Sequence, residues 1–131
     1  MRFHVDTASR LPIYQQLAQQ IQEAIARGDL QPETRLPSVR QLGDQLVVNP
    51  NTVARAYRIL EDQGVILTAG RKGTFVRQNA AQEVAKVRTA HAGRIMGRII
   101  RTMMVKGLTR KDISDIFNSA LKLAAREGRQ P

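Results

Sequence analysis

The sequence predicts a mainly α-helical chain with one small β-hairpin, divided into an N-terminal unit over residues 1–78 and a C-terminal helical pair over residues 79–131. Three observations predict this. Apolar residues recur at helical spacing in five separate stretches. One stretch, residues 65–77, is rich in β-formers and is bent at a Gly-Arg-Lys-Gly turn. Polar and small residues at 78–82 mark a junction between the two parts.

The first helix is expected over residues 12–27. Ile13, Leu17, Ile21 and Ile25 recur every fourth position. Pro12 suits the first helical turn, where its missing N–H costs little, and Gly28 supplies a stop. Residues 30–37 carry two prolines and read as an extended connection. A capping box, Ser38-Val39-Arg40-Gln41, then opens a helix running to about Leu46, with Val39, Leu42 and Leu46 inward. After a turn of about three residues, Asn49 caps another helix and Pro50 takes its first position. Val53, Ala56, Tyr57 and Leu60 form its apolar stripe, and Gly64 ends it.

Val65–Thr68 and Thr74–Arg77 read as strands around a tip that carries Gly70, Arg71, Lys72 and Gly73. A long helix is expected over about 81–106, broken by Gly107. Thr109-Arg110-Lys111-Asp112 resembles a second capping box and opens a last helix to about 126, with a frayed tail over 126–131.

Composition narrows the function. The 131 residues carry a net charge of +10. A pI near 11.2 favours polyanionic partners, above all nucleic acid. The excess is uneven: residues 1–79 hold a net +3 and residues 80–131 a net +7. There is no cysteine, so disulfides, thiolate nucleophiles and cysteine-bound zinc are excluded. His4 and His91 stand outside any ligand-like cluster, and no metal or cofactor is expected. Paired carboxylates and a Gly-rich phosphate loop are absent, which argues against an enzyme. No stretch approaches the ~18 apolar residues of a membrane span. The N-terminus lacks the apolar run of a signal peptide, so a cytoplasmic address is expected.

Helix, helix, short turn, helix, basic hairpin is the order of a winged helix-turn-helix. The helix at 50–63 is narrow enough for a major groove, where base edges are distinguishable. Asn49, Asn51 and Thr52 crowd its N-terminal end with donors and acceptors, and Arg55 and Arg58 lie one turn on. Arg35, Ser38 and Arg40 lie at the preceding helix start, and Gly70, Arg71 and Lys72 at the hairpin tip. Each motif alone reads as a plain cap or a solvated turn. Their conjunction in this order carries the expectation of double-stranded DNA as partner.

These same residues support a resemblance. Leu36-Pro37-Ser38-Val39-Arg40-Gln41-Leu42 resembles the second-helix signature of the GntR family of bacterial transcription regulators. Asn49 to Leu60, Gly64-Val65-Ile66 and Gly70 to Val76 are similar to that family's recognition helix and wing. The remaining residues resemble, in length and helix pattern, the short two-helix C-terminal region of the YtrA subfamily. The resemblance implies a dimeric, operator-binding regulator, usually a repressor, often encoded beside transporter genes. It implies DNA contacts from Arg40, from the start of the recognition helix and from Gly70. Many relatives carry arginine where this chain has Pro50 and Ala54, so readout is expected to shift to Asn51 and Arg55.

The C-terminal helices are expected to form the homodimer interface. Ile95, Ile99, Ile100, Met103, Met104, Ile113, Ile116, Phe117 and Leu121 are more apolar surface than one helix pair satisfies. The competing arrangement folds these helices back on the first unit. About 50 residues would not readily enclose a typical ~300–1,000 Å³ ligand cavity, so the effector is unassigned. Two other functions remain open on sequence alone. One is a non-specific architectural DNA-binding protein; the other is a protein-interaction module.

Overall fold

A computed structural model describes residues Arg2–Gly128. The elements run in the order α1 (Ile13–Arg27), β1 (Arg35–Leu36), α2 (Val39–Leu46), α3 (Pro50–Asp62), β2 (Ile66–Thr68), β3 (Thr74–Val76), α4 (Ala80–Val105) and α5 (Arg110–Gly128). A single 3₁₀ turn at Gly70–Lys72 forms the hairpin tip. The architecture is therefore mainly helical with a small sheet, as the residue pattern predicts. The chain divides into two compact units within α4, between Arg88 and Thr89.

The first unit is built around α1 and α3. Leu17, Ile21, Val53 and Leu60 are wholly excluded from solvent, which follows from their shared faces at helical spacing. Burying one such side chain contributes about 1.5–3 kcal/mol. The first turns of α4 belong to this core, because Ala80 and Val84 are buried within it. The helix thus begins near the junction at 78–82, and its leading residues pack with the winged unit.

Local chemistry sets the helix ends. The Ser38 hydroxyl accepts from the Gln41 N–H at 3.1 Å, while the Gln41 side chain accepts from the Ser38 N–H at 2.9 Å. Asn49 caps α3 and Pro50 takes its first position. Thr109 and Asp112 repeat the reciprocal box at α5, with distances of 3.1 and 2.9 Å. Pro12 acts as the cap of α1 rather than lying within its first turn. Val47 closes α2 in the left-handed region at φ 58°. For a β-branched residue this conformation costs roughly 1–2 kcal/mol.

Two expectations are corrected. Residues 30–37 are not merely a connection: Arg35 and Leu36 form a strand, and the sheet order is β1-β3-β2, antiparallel throughout. A two-residue strand is too short to show a period of two. Arg126 to Gly128 continue α5 rather than fraying, and the expectation for residues 129–131 lies outside the described residues.

The second unit comprises the later part of α4 and all of α5. Ile113 is buried there. An open apolar groove of about 730 Å³ runs between the two helices.

Candidate nucleic-acid interface

The start of α3 presents its polar groups outward. The Asn49 side-chain oxygen is committed to the cap, accepting from the Asn51 N–H at 2.8 Å, which leaves its amide NH₂ for a partner. Asn51 is exposed and its side chain bonds to no other described residue, so it offers a donor and an acceptor together. Thr52 is half-buried beside it.

Arg40 projects from the first turn of α2 and is exposed. Ser38 keeps its hydroxyl proton available, since its oxygen acts only as acceptor in the cap. Tyr57 ties the middle of α3 to the segment leading into α2. Its buried hydroxyl donates to the Pro37 carbonyl at 2.6 Å, across 20 residues of sequence. Burial raises its pKa above the usual phenol value, so the hydroxyl stays protonated and keeps donating. Sequence periodicity places Tyr57 in the apolar stripe; its positioning bond depends on a contact that only the fold creates.

Pairing of β1 with β3 sets Arg35 opposite Phe75 and brings it against the wing. Gly73 is the counterpart that makes room. At φ 114°, ψ −166° it occupies a region essentially confined to glycine. A Cβ there would stand 2.7 Å from the Arg35 Nε. Gly73 belongs with the site residues, although sequence reading singled out only Gly70. Gly70 differs: its φ is +56°, and a Cβ would meet nothing within 4 Å. Arg71 and Lys72 at the tip are exposed.

Arg35, Ser38, Arg58 and Gly70 line one shallow cleft of about 400 Å³ between the α2 start, α3 and the wing. Glu61 shares the cleft wall. Arg55 lies elsewhere on α3. Its guanidinium carbon sits 3.8 Å from the centroid of the Tyr14 ring on α1, a cation–π contact. Arg55 is therefore held against α1 rather than extended.

The electrostatics are one-sided. The ion pairs among the described residues join Arg27 to Glu23 and Asp29, Lys86 to Glu83, and Lys111 to Asp115. Arg35, Arg40, Arg55, Arg58, Arg71 and Lys72 take part in none of them. Their charge is uncompensated and can meet phosphate oxygens.

In the second unit, Ile95, Ile99, Met104, Ile116, Phe117 and Leu121 are 39–56% exposed. Ile100 and Met103 are half-buried, and Ile113 is already buried within the unit. All of these except Ile95 line the groove, together with Met96, which sequence reading did not single out. The groove reaches ligand size but is open, because two helices cover it from one side only.

A capped, solvent-facing third helix, a second helix start and a basic wing define a winged helix-turn-helix protein of the nucleic-acid-binding class. Residues 13–76 match the model of the family described as bacterial regulatory proteins, gntR family. The chain belongs to the GntR family.

The chain is 43% identical over 76 residues to the HTH-type transcriptional repressor YtrA of Bacillus subtilis, covering 58% of each chain. It is 34% identical over 105 residues to the HTH-type regulator YhcF of the same organism, covering 80% of this chain and 86% of that one. Among solved structures, YtrA from Sulfolobus acidocaldarius, a GntR-family transcription factor, superposes with a TM-score of 0.56 at 30% identity, covering 92% and 97%. The DNA-binding domain of AraR in complex with operator ORX1 superposes with a TM-score of 0.50 at 28% identity, covering 57% and 99%. The chain spans 58–60% of the length of the first two curated relatives it matches. The relatives named here are transcription regulators, not enzymes.

Proposed function

We propose that this chain is a sequence-specific transcription regulator that binds a palindromic operator in double-stranded DNA as a homodimer, in the cytoplasm, as a repressor. The observation that carries the reading is the outward, unpaired start of α3, with Asn51 free and Arg40, Arg58 and the wing-tip cations uncompensated around it. Asn51 reads base edges, and Arg35, Arg58, Arg71 and Lys72 hold phosphates and set register. The helical likeness to an operator-bound AraR domain supports duplex DNA as the partner. Repression follows the sign carried by the similar Bacillus protein, and the YtrA-type resemblance points to transporter genes as targets.

One winged unit reads one half-site, so a two-fold dimer matches a palindrome. The exposed apolar face of α4 and α5 supplies the joining surface.

Selection of bound sequences from random duplex DNA at about 0.15 M salt tests the reading. A palindrome with two enriched half-sites is expected. Binding without enrichment, steeply lost with added salt, identifies an architectural protein instead. On the selected operator, Arg40→Ala lowers affinity by about 1–3 kcal/mol if Arg40 contacts a base. An unchanged affinity removes Arg40 from the interface.

A further inference from the structure

Residues 84–111 contain eight Lys and Arg residues and not one Asp or Glu. Within this run, Arg94, Arg98 and Arg101 are exposed on α4. At about 100° per residue they fall within roughly 60° of arc. The groove-lining Met96, Ile99, Ile100 and Met103 project from the opposite side. None of the three arginines has an ion pair among the described residues. The nearby acids of the second unit are engaged on α5: Asp115 with Lys111, and Asp112 with the Thr109 N–H. The guanidinium of Arg101 lies over Gly97, since a Cβ there would stand 3.3 Å from its Nη1.

Like charges three and four residues apart on a helix repel one another. Nothing within the described chain offsets this, so the row is complementary to an external anion. The chemistry of that anion follows from residue type and placement. Guanidinium forks match phosphate oxygens. Arg94 to Arg101 spans about 10.5 Å of helix axis, about three steps of the ~3.4 Å axial rise between successive phosphates of one strand. An interfacial membrane helix needs its apolar face free to enter lipid, with its cations on the opposite face. Here the apolar face lines the groove with α5, the surface assigned above to the dimer, which leaves the arginine face open to a partner.

We infer that the Arg94–Arg98–Arg101 face of α4 is a second phosphate-binding surface, gripping the backbone of duplex DNA outside the bases read by α3. The inference rests on the operator-binding reading above.

The test compares the full chain with the triple variant Arg94→Gln, Arg98→Gln, Arg101→Gln on the selected operator carrying extended flanks. The variant is expected to keep the same base preference. Its plot of log affinity against log salt becomes shallower by about 2.7 per protomer, about 5.4 for the dimer, so it loses about 1,800-fold less affinity than the parent between 50 and 200 mM salt. A triple lysine variant keeps the parental slope. An unchanged slope in the glutamine variant, with parental binding intact, overturns the inference alone. Loss of slope in the lysine variant as well shows a structural role and overturns it too. Loss of binding to phosphatidylserine–phosphatidylcholine vesicles with an unchanged DNA slope assigns the face to membranes. A parent that selects no operator overturns both readings together.

Discussion

Gly73 and Gly70 lie three residues apart in the wing and answer to different constraints. Gly73 holds a backbone conformation closed to other residues, and the Arg35 side chain occupies the space a Cβ would need. Gly73→Ala is therefore expected to lower stability by about 1–3 kcal/mol and to displace Arg35 from the wing. Thermal unfolding and operator affinity at fixed salt check this. Gly70→Ala meets no protein atom and is expected to lower stability by only about 1 kcal/mol. Equal losses at the two positions would show that the Arg35 contact plays no part. Arg55 follows the same logic. Its place over the Tyr14 ring makes its reach to DNA conditional on leaving that contact.

The helices owe their ends to side-chain caps, and one cap carries a charge that titrates. At α5 the Thr109 N–H, together with its hydroxyl, holds the Asp112 carboxyl below the usual aspartate range. A lowered folded pKa means the ionised form is the one that stabilises. That contribution is complete above the ordinary aspartate pKa and is lost as pH falls through it toward the folded value. Protection of the first-turn amides of α5, taken relative to their intrinsic exchange rates, is thus expected to fall as pH drops below the ordinary aspartate value of about 4. Asp112→Asn should flatten that dependence. A parent and variant with identical profiles would place the titration elsewhere. Asp112 is fully exposed, so the change stays within the first turn.

For the whole molecule, the decisive surface is the apolar face of the second unit. Phe117 is 45% exposed at the groove. In the proposed two-fold interface it occurs twice, and burying its remaining exposed part contributes about 0.7–1.5 kcal/mol per copy. Phe117→Asp removes this contribution and places two carboxylates in the interface, so it is expected to weaken the proposed dimer by about 3 kcal/mol or more, at least a hundredfold in dissociation constant. Sedimentation equilibrium reads this directly, and operator binding should fall to half-site strength in parallel. A variant that remains dimeric would move the interface off this face. Because the proposed dimer would link folding to association, the unfolding midpoint of the parent is expected to rise with protein concentration.

Periodicity and capping chemistry determined much of this protein in advance. The faces of α1 and α3, the boxes at Ser38 and Thr109 and the Asn49-Pro50 start are local features, settled by residues three or four positions apart. The solvent-facing polar groups of α3 were legible for the same reason: a stripe that buries Val53, Ala56, Tyr57 and Leu60 leaves Asn51 and Arg58 outside. What the tertiary structure alone decided are pairings between residues distant in sequence. β1 exists because β3 is beside it, 40 residues along. Tyr57 becomes a tether only when Pro37 is brought to its hydroxyl. Arg55 rests on Tyr14, and Arg35 on Gly73. Helices and caps arise from short-range hydrogen bonds that sequence spacing encodes, whereas strand pairing, tethers and ring contacts arise from chain closure, which no local pattern records.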